Sequence, residues 1–124
     1  MIYLYNPQIR KEDVKSVLNA LDKKWLSGNT PIIKDFENKF SDYLGVRYVS
    51  SCSSGTSGLH LSVLTLDIGP GDEVIMPSLS YIATANAVSY VGGKPVFVDV
   101  NFKDWQISTD SIEKKITKKT KAIL

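Results

Sequence analysis

The stretch "GPGDEVIMPSLSYIATANAVSYVGGKPVFVDV", Gly69–Val100, decides the fold class. It opens on a glycine- and proline-rich turn. Glu73–Met76 is a short apolar run that predicts a strand. "YIATANAVSYVG" predicts a helix, ended by Gly92 and Gly93. "KPVFVDV" predicts a second strand, with Val96, Phe97, Val98 and Val100 nearly continuous. Such runs suit a parallel sheet covered on both faces. Strand, helix, strand in this order is the unit of an α/β fold with crossover helices.

The same alternation continues in both directions. Upstream, "VRYVS", Val46–Ser50, is β-rich and predicts another strand. A loop of small residues and a helix over roughly Thr56 to Leu66 follow it. Downstream, "STDSIEKKIT" predicts a capped helix, with Ser or Thr before it and Glu113 in its first turn. "TKAIL" then begins a further strand. Ahead of all this lie two helical patterns. Ile9, Val14, Val17, Leu18 and Leu21 share one face of the first. Pro31 opens the second, Ile33, Phe36, Phe40 and Leu44 form its apolar face, and Gly45 ends it. The expected division is an N-terminal helical segment, 1–45, and the beginning of an α/β domain, 46–124. The chain stops as an apolar strand starts, so a fragment of a larger domain is expected.

The bulk numbers exclude several classes. The 124 residues are 43% hydrophobic and 23% charged, ordinary for a globular protein. A net charge of +2 gives no ground for nucleic-acid or membrane partners. No apolar run reaches the roughly 18 residues of a membrane span, and the N-terminus lacks signal-peptide features. The single cysteine excludes an internal disulfide and fits a reducing cytoplasm. Cys52 has only His60 nearby as a base, so a small buried thiol is the expected reading. No metal ligand set is expected.

The small-residue loop "SCSSGTSG", Ser51–Gly58, precedes a helix. A helix N-terminus has unpaired N–H groups and partial positive charge, so it attracts anions. Glycine and serine let a phosphate approach the backbone, and Ser54, Thr56 and Ser57 offer hydroxyls. The alternative is a plain connector with Thr56 as the helix cap. Neither a Walker A loop nor a dinucleotide fingerprint is present. A second loop, "MPSLSYIATANAV", follows the next strand to the same sheet edge, where ligands of open α/β sheets bind. It offers Ser78, Ser80 and Tyr81, and an aromatic there can stack on a planar ring. Asp99 ends the third strand at the same edge, where a turn role is favoured.

These motifs, in order and spacing, resemble the sugar-nucleotide aminotransferases of the DegT/DnrJ/EryC1/StrS group. "SSGTSGLHLSVL", "GPGDEVIMPSLSYIATANAV", "GGKPVFVDV" and "ITKKTKAIL" carry the resemblance, and "WLSGNTPIIKDFENKFSDYLGVRYV" extends it to the N-terminal segment. It implies a fold type I, pyridoxal 5′-phosphate (PLP)-dependent transferase, with a three-layer, mostly parallel sheet. It implies transfer of an amino group from glutamate to a nucleotide-linked keto sugar, feeding surface polysaccharide or amino-sugar biosynthesis. By resemblance, Gly55 and Thr56 hold the cofactor phosphate, Tyr81 stacks on its ring, and Ser27, Gly28 and Asn29 lie near the substrate. A homodimer or higher homo-oligomer in the cytoplasm is implied. The family's Schiff-base lysine and the aspartate facing the pyridine nitrogen match no position in these residues. The lysines from Lys114 to Lys121 read as a solvated face. No catalytic residue is therefore expected in this chain, which alone should be inactive. A dehydratase of the same family, with histidine in place of the lysine, and a non-catalytic remnant are the alternatives. His60, Trp25 and Trp105 read as packing residues.

Overall fold

The computed structural model describes residues 5–124. The chain divides into two compact units, Met1–Ser51 and Cys52–Leu124. In the first, α1 (Lys11–Asp22) and α2 (Pro31–Leu44) form where the periodicity predicts them. Asp13 accepts the Arg10 N–H at 2.8 Å and closes the first turn of α1. Pro31 opens α2, and Gly45 ends it in the left-handed region at φ 66°. Neither helix buries a residue. Glu37 accepts both the N–H and the hydroxyl of Ser51, at 2.8 and 2.9 Å. These bonds hold its carboxyl below the ordinary range.

The expected strand at Val46–Ser50 does not form. A strand exists only through a ladder with a neighbour. Val46 and Tyr48 are exposed, and no described segment pairs with them.

The second unit is built on a parallel three-stranded sheet. Its elements are α3 (Gly55–Thr65), β1 (Glu73–Pro77), α4 (Ile82–Tyr90), β2 (Lys94–Val98), α5 (Thr109–Glu113) and β3 (Thr120–Ile123). The strand order is β2-β1-β3, with β1 parallel to both neighbours. Val74 and Met76 point to one face and join Val63, Ile68, Ala87 and Val88 in the core. Ile75 points to the other face and is also fully buried. The connection β1-to-β2 runs one way along the sheet and β2-to-β3 runs back past β1. Helix α4 packs on β1 and β2, and right-handed crossovers of opposite direction put the β2-to-β3 connection on the other face of the sheet. Strand β2 departs from the expected cover on both faces: Phe97 is half-exposed because β2 lies at the edge. Pro95, which donates no ladder hydrogen bond, is tolerated there.

Local chemistry sets the boundaries. Ser54, not Thr56, caps α3, accepting the Ser57 N–H at 3.2 Å. Ser108 caps α5, accepting the Ser111 N–H at 3.3 Å. The acidic residue of that first turn is Asp110; Glu113, expected there, is the last residue of a helix only 5 residues long. Gly93 lets α4 and β2 close together: a Cβ there would stand 2.9 Å from Ile68 Cγ2 and 3.0 Å from Val88 Cγ1. At the start of the sheet, the Glu73 carboxylate accepts from Thr117 Oγ1 at 2.7 Å and Lys94 Nζ at 3.0 Å. It thereby ties β1 to β2 and to the segment leading into β3. The ladder to β3 carries an extra residue there, Lys121. The Thr117 hydroxyl first, then Lys94, holds the Glu73 carboxyl below its ordinary value.

Two packing expectations change. Cys52 is exposed, because it lies in the loop before α3 where no described element covers it. Trp105 is exposed too, with φ at 62°, at the tip of a tight loop closed by the Val100–Ile107 bridge. Trp25 is half-buried, under the Lys23 ammonium at 4.6 Å from its ring. His60 packs as expected, edge-on to Tyr90 with centroids 5.4 Å apart.

Candidate cofactor site

The loops after β1 and before α3 meet in one cleft. It holds about 450 Å³ and is lined by Gly55, Thr56, Leu59, Ser80, Tyr81 and Thr84, among others. Helices α3 and α4 both begin there. Ser54 Oγ takes the Ser57 N–H, and the Ser54 carbonyl takes the Gly58 N–H at 3.0 Å. The N–H groups of Gly55 and Thr56 have no acceptor within the helix, because the first turn has none to give. They are the donors left for an anion, and the Thr56 hydroxyl lies beside them. A Cβ on Gly55 would meet nothing within 4 Å, so packing alone does not require glycine there.

Tyr81 stands across the cleft from Gly55 and Thr56. It is 85% exposed, so its ring is open to a ligand instead of committed to the core. A second cleft, about 230 Å³, adjoins Tyr81, Ser80 and Thr84 and reaches Met76, Ser78 and Phe97. Both clefts sit at the carboxyl end of β1, the edge where ligands of open sheets bind. The Ser78 N–H donates to the Val98 carbonyl at 2.9 Å and anchors this loop to the end of β2. Asp99 plays a turn role, accepting the Val100 N–H at 2.8 Å.

Gly55, Thr56 and Tyr81, named from the sequence, therefore line a single cleft. Ser27, Gly28 and Asn29 are exposed and belong to the first unit. Asn29 lines a cleft of about 470 Å³ with Thr30, Lys34 and Asn38. Thr30 precedes α2, but its Oγ1 makes no capping bond and is buried without a partner among the described residues. Sequence reading missed Thr84 and Leu59. Leu59 was legible as a residue one helical turn after Gly55. Thr84 was legible as a first-turn hydroxyl four residues after Ser80, close enough to bond back to it. Among the described residues, no group of three or more His, Cys, Asp or Glu is placed to hold a metal.

A phosphate beside an aromatic ring fits this donor set: two free N–H groups and a hydroxyl at one wall, an open tyrosine at the other. Residues 7–124 match the family model of the DegT/DnrJ/EryC1/StrS aminotransferases. The chain belongs to that family. It is 46% identical over 123 residues to the GDP-perosamine synthase of Escherichia coli O157:H7, covering 99% of this chain and 34% of the relative. It is 44% identical to the 3-oxo-glucose-6-phosphate:glutamate aminotransferase of Bacillus subtilis, covering 94% of this chain and 27% of that one. Among solved structures, NtdA of Bacillus subtilis with bound cofactor PMP superposes with a TM-score of 0.82 at 42% identity. That match covers 93% of this chain and 27% of NtdA. The family chain thus spans about a third of the length of the curated relatives it matches. Its fold is the α/β, parallel-sheet N-terminal portion of the PLP-dependent aminotransferases. No described helix is long and apolar enough to cross a membrane.

Proposed function

We propose that this chain supplies the phosphate- and ring-binding part of a PLP-dependent sugar aminotransferase. The reaction assigned is transfer of an amino group from glutamate to a nucleotide-linked keto sugar, for surface polysaccharide or amino-sugar biosynthesis in the cytoplasm. One observation carries the reading: Gly55, Thr56 and Tyr81 line one cleft at the carboxyl edge of the sheet. Relatives named as aminotransferases of sugar compounds support it. When bound, the cofactor would supply an electron sink for the carbon carrying the nitrogen.

The chain's own residues bind and orient. The N–H groups of Gly55 and Thr56 and the Thr56 hydroxyl hold the phosphate, aided by the positive end of α3. Tyr81 covers one ring face, which fixes the plane of the ring and keeps water from that side. Ser27, Gly28 and Asn29 are assigned to the sugar substrate. The lysine and aspartate that the chemistry needs are not assigned to any residue here, so this chain alone does not turn over. A homo-oligomer is part of the reading.

Titration of the isotope-labelled chain with inorganic phosphate tests the anion site. The expected result is movement of the Gly55 and Thr56 amide resonances, much reduced in Thr56→Ala. If those two amides stay still while others move, the phosphate assignment fails.

A further inference from the structure

Tyr81 occupies a place where helix physics asks for another residue. It is the N-cap of α4, with φ −64° and ψ 144°. Ser, Thr, Asp and Asn are preferred at that position because a short side-chain oxygen can take a first-turn N–H. The other two helices of this unit follow the rule, with Ser54 and Ser108 as caps. Tyr81 makes no side-chain cap bond. Helix α4 gives up a capping bond to keep an exposed aromatic at the cleft. Sites where a sequence breaks a local folding rule tend to be functional ones.

The lost cap is replaced by a tie that straddles the tyrosine. Ser80 Oγ and Thr84 Oγ1 share a hydrogen bond of 3.0 Å, one residue before Tyr81 and three after it. The Thr84 N–H donates to the Tyr81 carbonyl at 3.1 Å. Together they close a small loop of backbone around Tyr81. The ring is 85% exposed, so side-chain packing does little to hold it. Its direction depends on its backbone, and that depends on this loop. Ser80 and Thr84 also line both clefts that flank the ring.

We infer that Ser80 and Thr84 are positioning residues, a hydroxyl pair that sets the Tyr81 ring for stacking on a phosphorylated planar ligand. This rests on the cofactor reading above. A ring held in place before binding loses less freedom when the ligand arrives, so affinity rises without a new contact.

The test uses pyridoxamine 5′-phosphate (PMP), which has no aldehyde to condense with surface lysines. Affinity is read by equilibrium titration, and ring orientation by the circular dichroism induced in the bound ligand. Ser80→Ala should weaken binding about fivefold, the usual worth of one hydrogen bond, and should change the induced signal. Thr84→Val should do the same, and Thr84→Ser should restore both. Ser80 is exposed, so its replacement leaves the fold intact. Tyr81→Ala serves as the reference. If Tyr81→Ala weakens binding while Ser80→Ala and Thr84→Val match the parent in affinity and signal, the positioning role is overturned and the cofactor reading stands. Weaker binding in those variants with an unchanged induced signal also overturns it, because the ring would then not have moved. If Tyr81→Ala changes nothing, the stacking role of Tyr81 fails and the inference falls with it.

Discussion

The two units of this chain treat their apolar residues in opposite ways. In the second, Val63, Val74, Met76, Ala87 and Val88 are buried to 1% exposure or less. In the first, α1 and α2 are longer and strongly amphipathic, yet neither buries a residue. Phe36, Phe40 and Leu44 of α2 are all at least 42% exposed. Helical periodicity establishes which face is apolar but not what covers it. In a parallel sheet the cover is encoded nearby, because each crossover helix packs on the strands it connects.

Truncation should separate the units most strongly. Met76→Ala removes a side chain that is 1% exposed from the core. It should cost about 2–5 kcal/mol. Val17→Ala, on a residue 59% exposed, should change stability by less than about 0.5 kcal/mol. Denaturant unfolding of both variants checks this; equal losses would mean that the α1 face is covered in solution.

How far the sequence revealed all this depends on where the information is stored. The strand, helix, strand order from Gly69 to Val100 was legible, because turn residues punctuate it and the apolar runs are short. The meeting of Gly55 and Thr56 with Tyr81 was expected from two strands sharing one edge, but only the Tyr81 loop follows a strand; the packing of α3 on α4 brings the two helix starts together. Val46–Ser50 misled because β-rich composition does not supply a pairing partner. Cys52 and Trp105 misled because residue type suggests burial, while the loops that hold them face solvent. The half-exposure of Phe97 follows from strand order, which no local pattern contains. The capping of α3 by Ser54 could not be read from a run of serines in which several could serve.

A smaller loss tests the close approach of α4 and β2. Gly93→Ala would force its Cβ into Ile68 and Val88, both in the core. It should cost about 1–3 kcal/mol. Gly55→Ala, with open space around the added carbon, should be mild; denaturant unfolding compares the two. A mild Gly93→Ala would show that the core can shift to admit a methyl group.

The gentlest probe is pH. The Glu73 carboxyl is held below its ordinary value of 4.5, chiefly by the Thr117 hydroxyl. Its contribution to stability is therefore present above pH 4.5 and is lost as the pH falls toward and through the lowered folded value. The melting temperature of the parent chain should drop more steeply in that acid range than that of Glu73→Gln. Parallel curves would show that Glu73 does not hold the strands together as its bonds suggest.

The cleft between the starts of α3 and α4 is assigned a phosphate and a ring together. The most direct measurement is the affinity of PMP for this chain and for Thr56→Ala and Tyr81→Ala. Saturable binding is expected, weakened roughly tenfold by Thr56→Ala through a lost charge-assisted hydrogen bond and weakened also by Tyr81→Ala, with all three proteins melting alike. Absence of saturable binding, or equal affinity in all three, would contradict it.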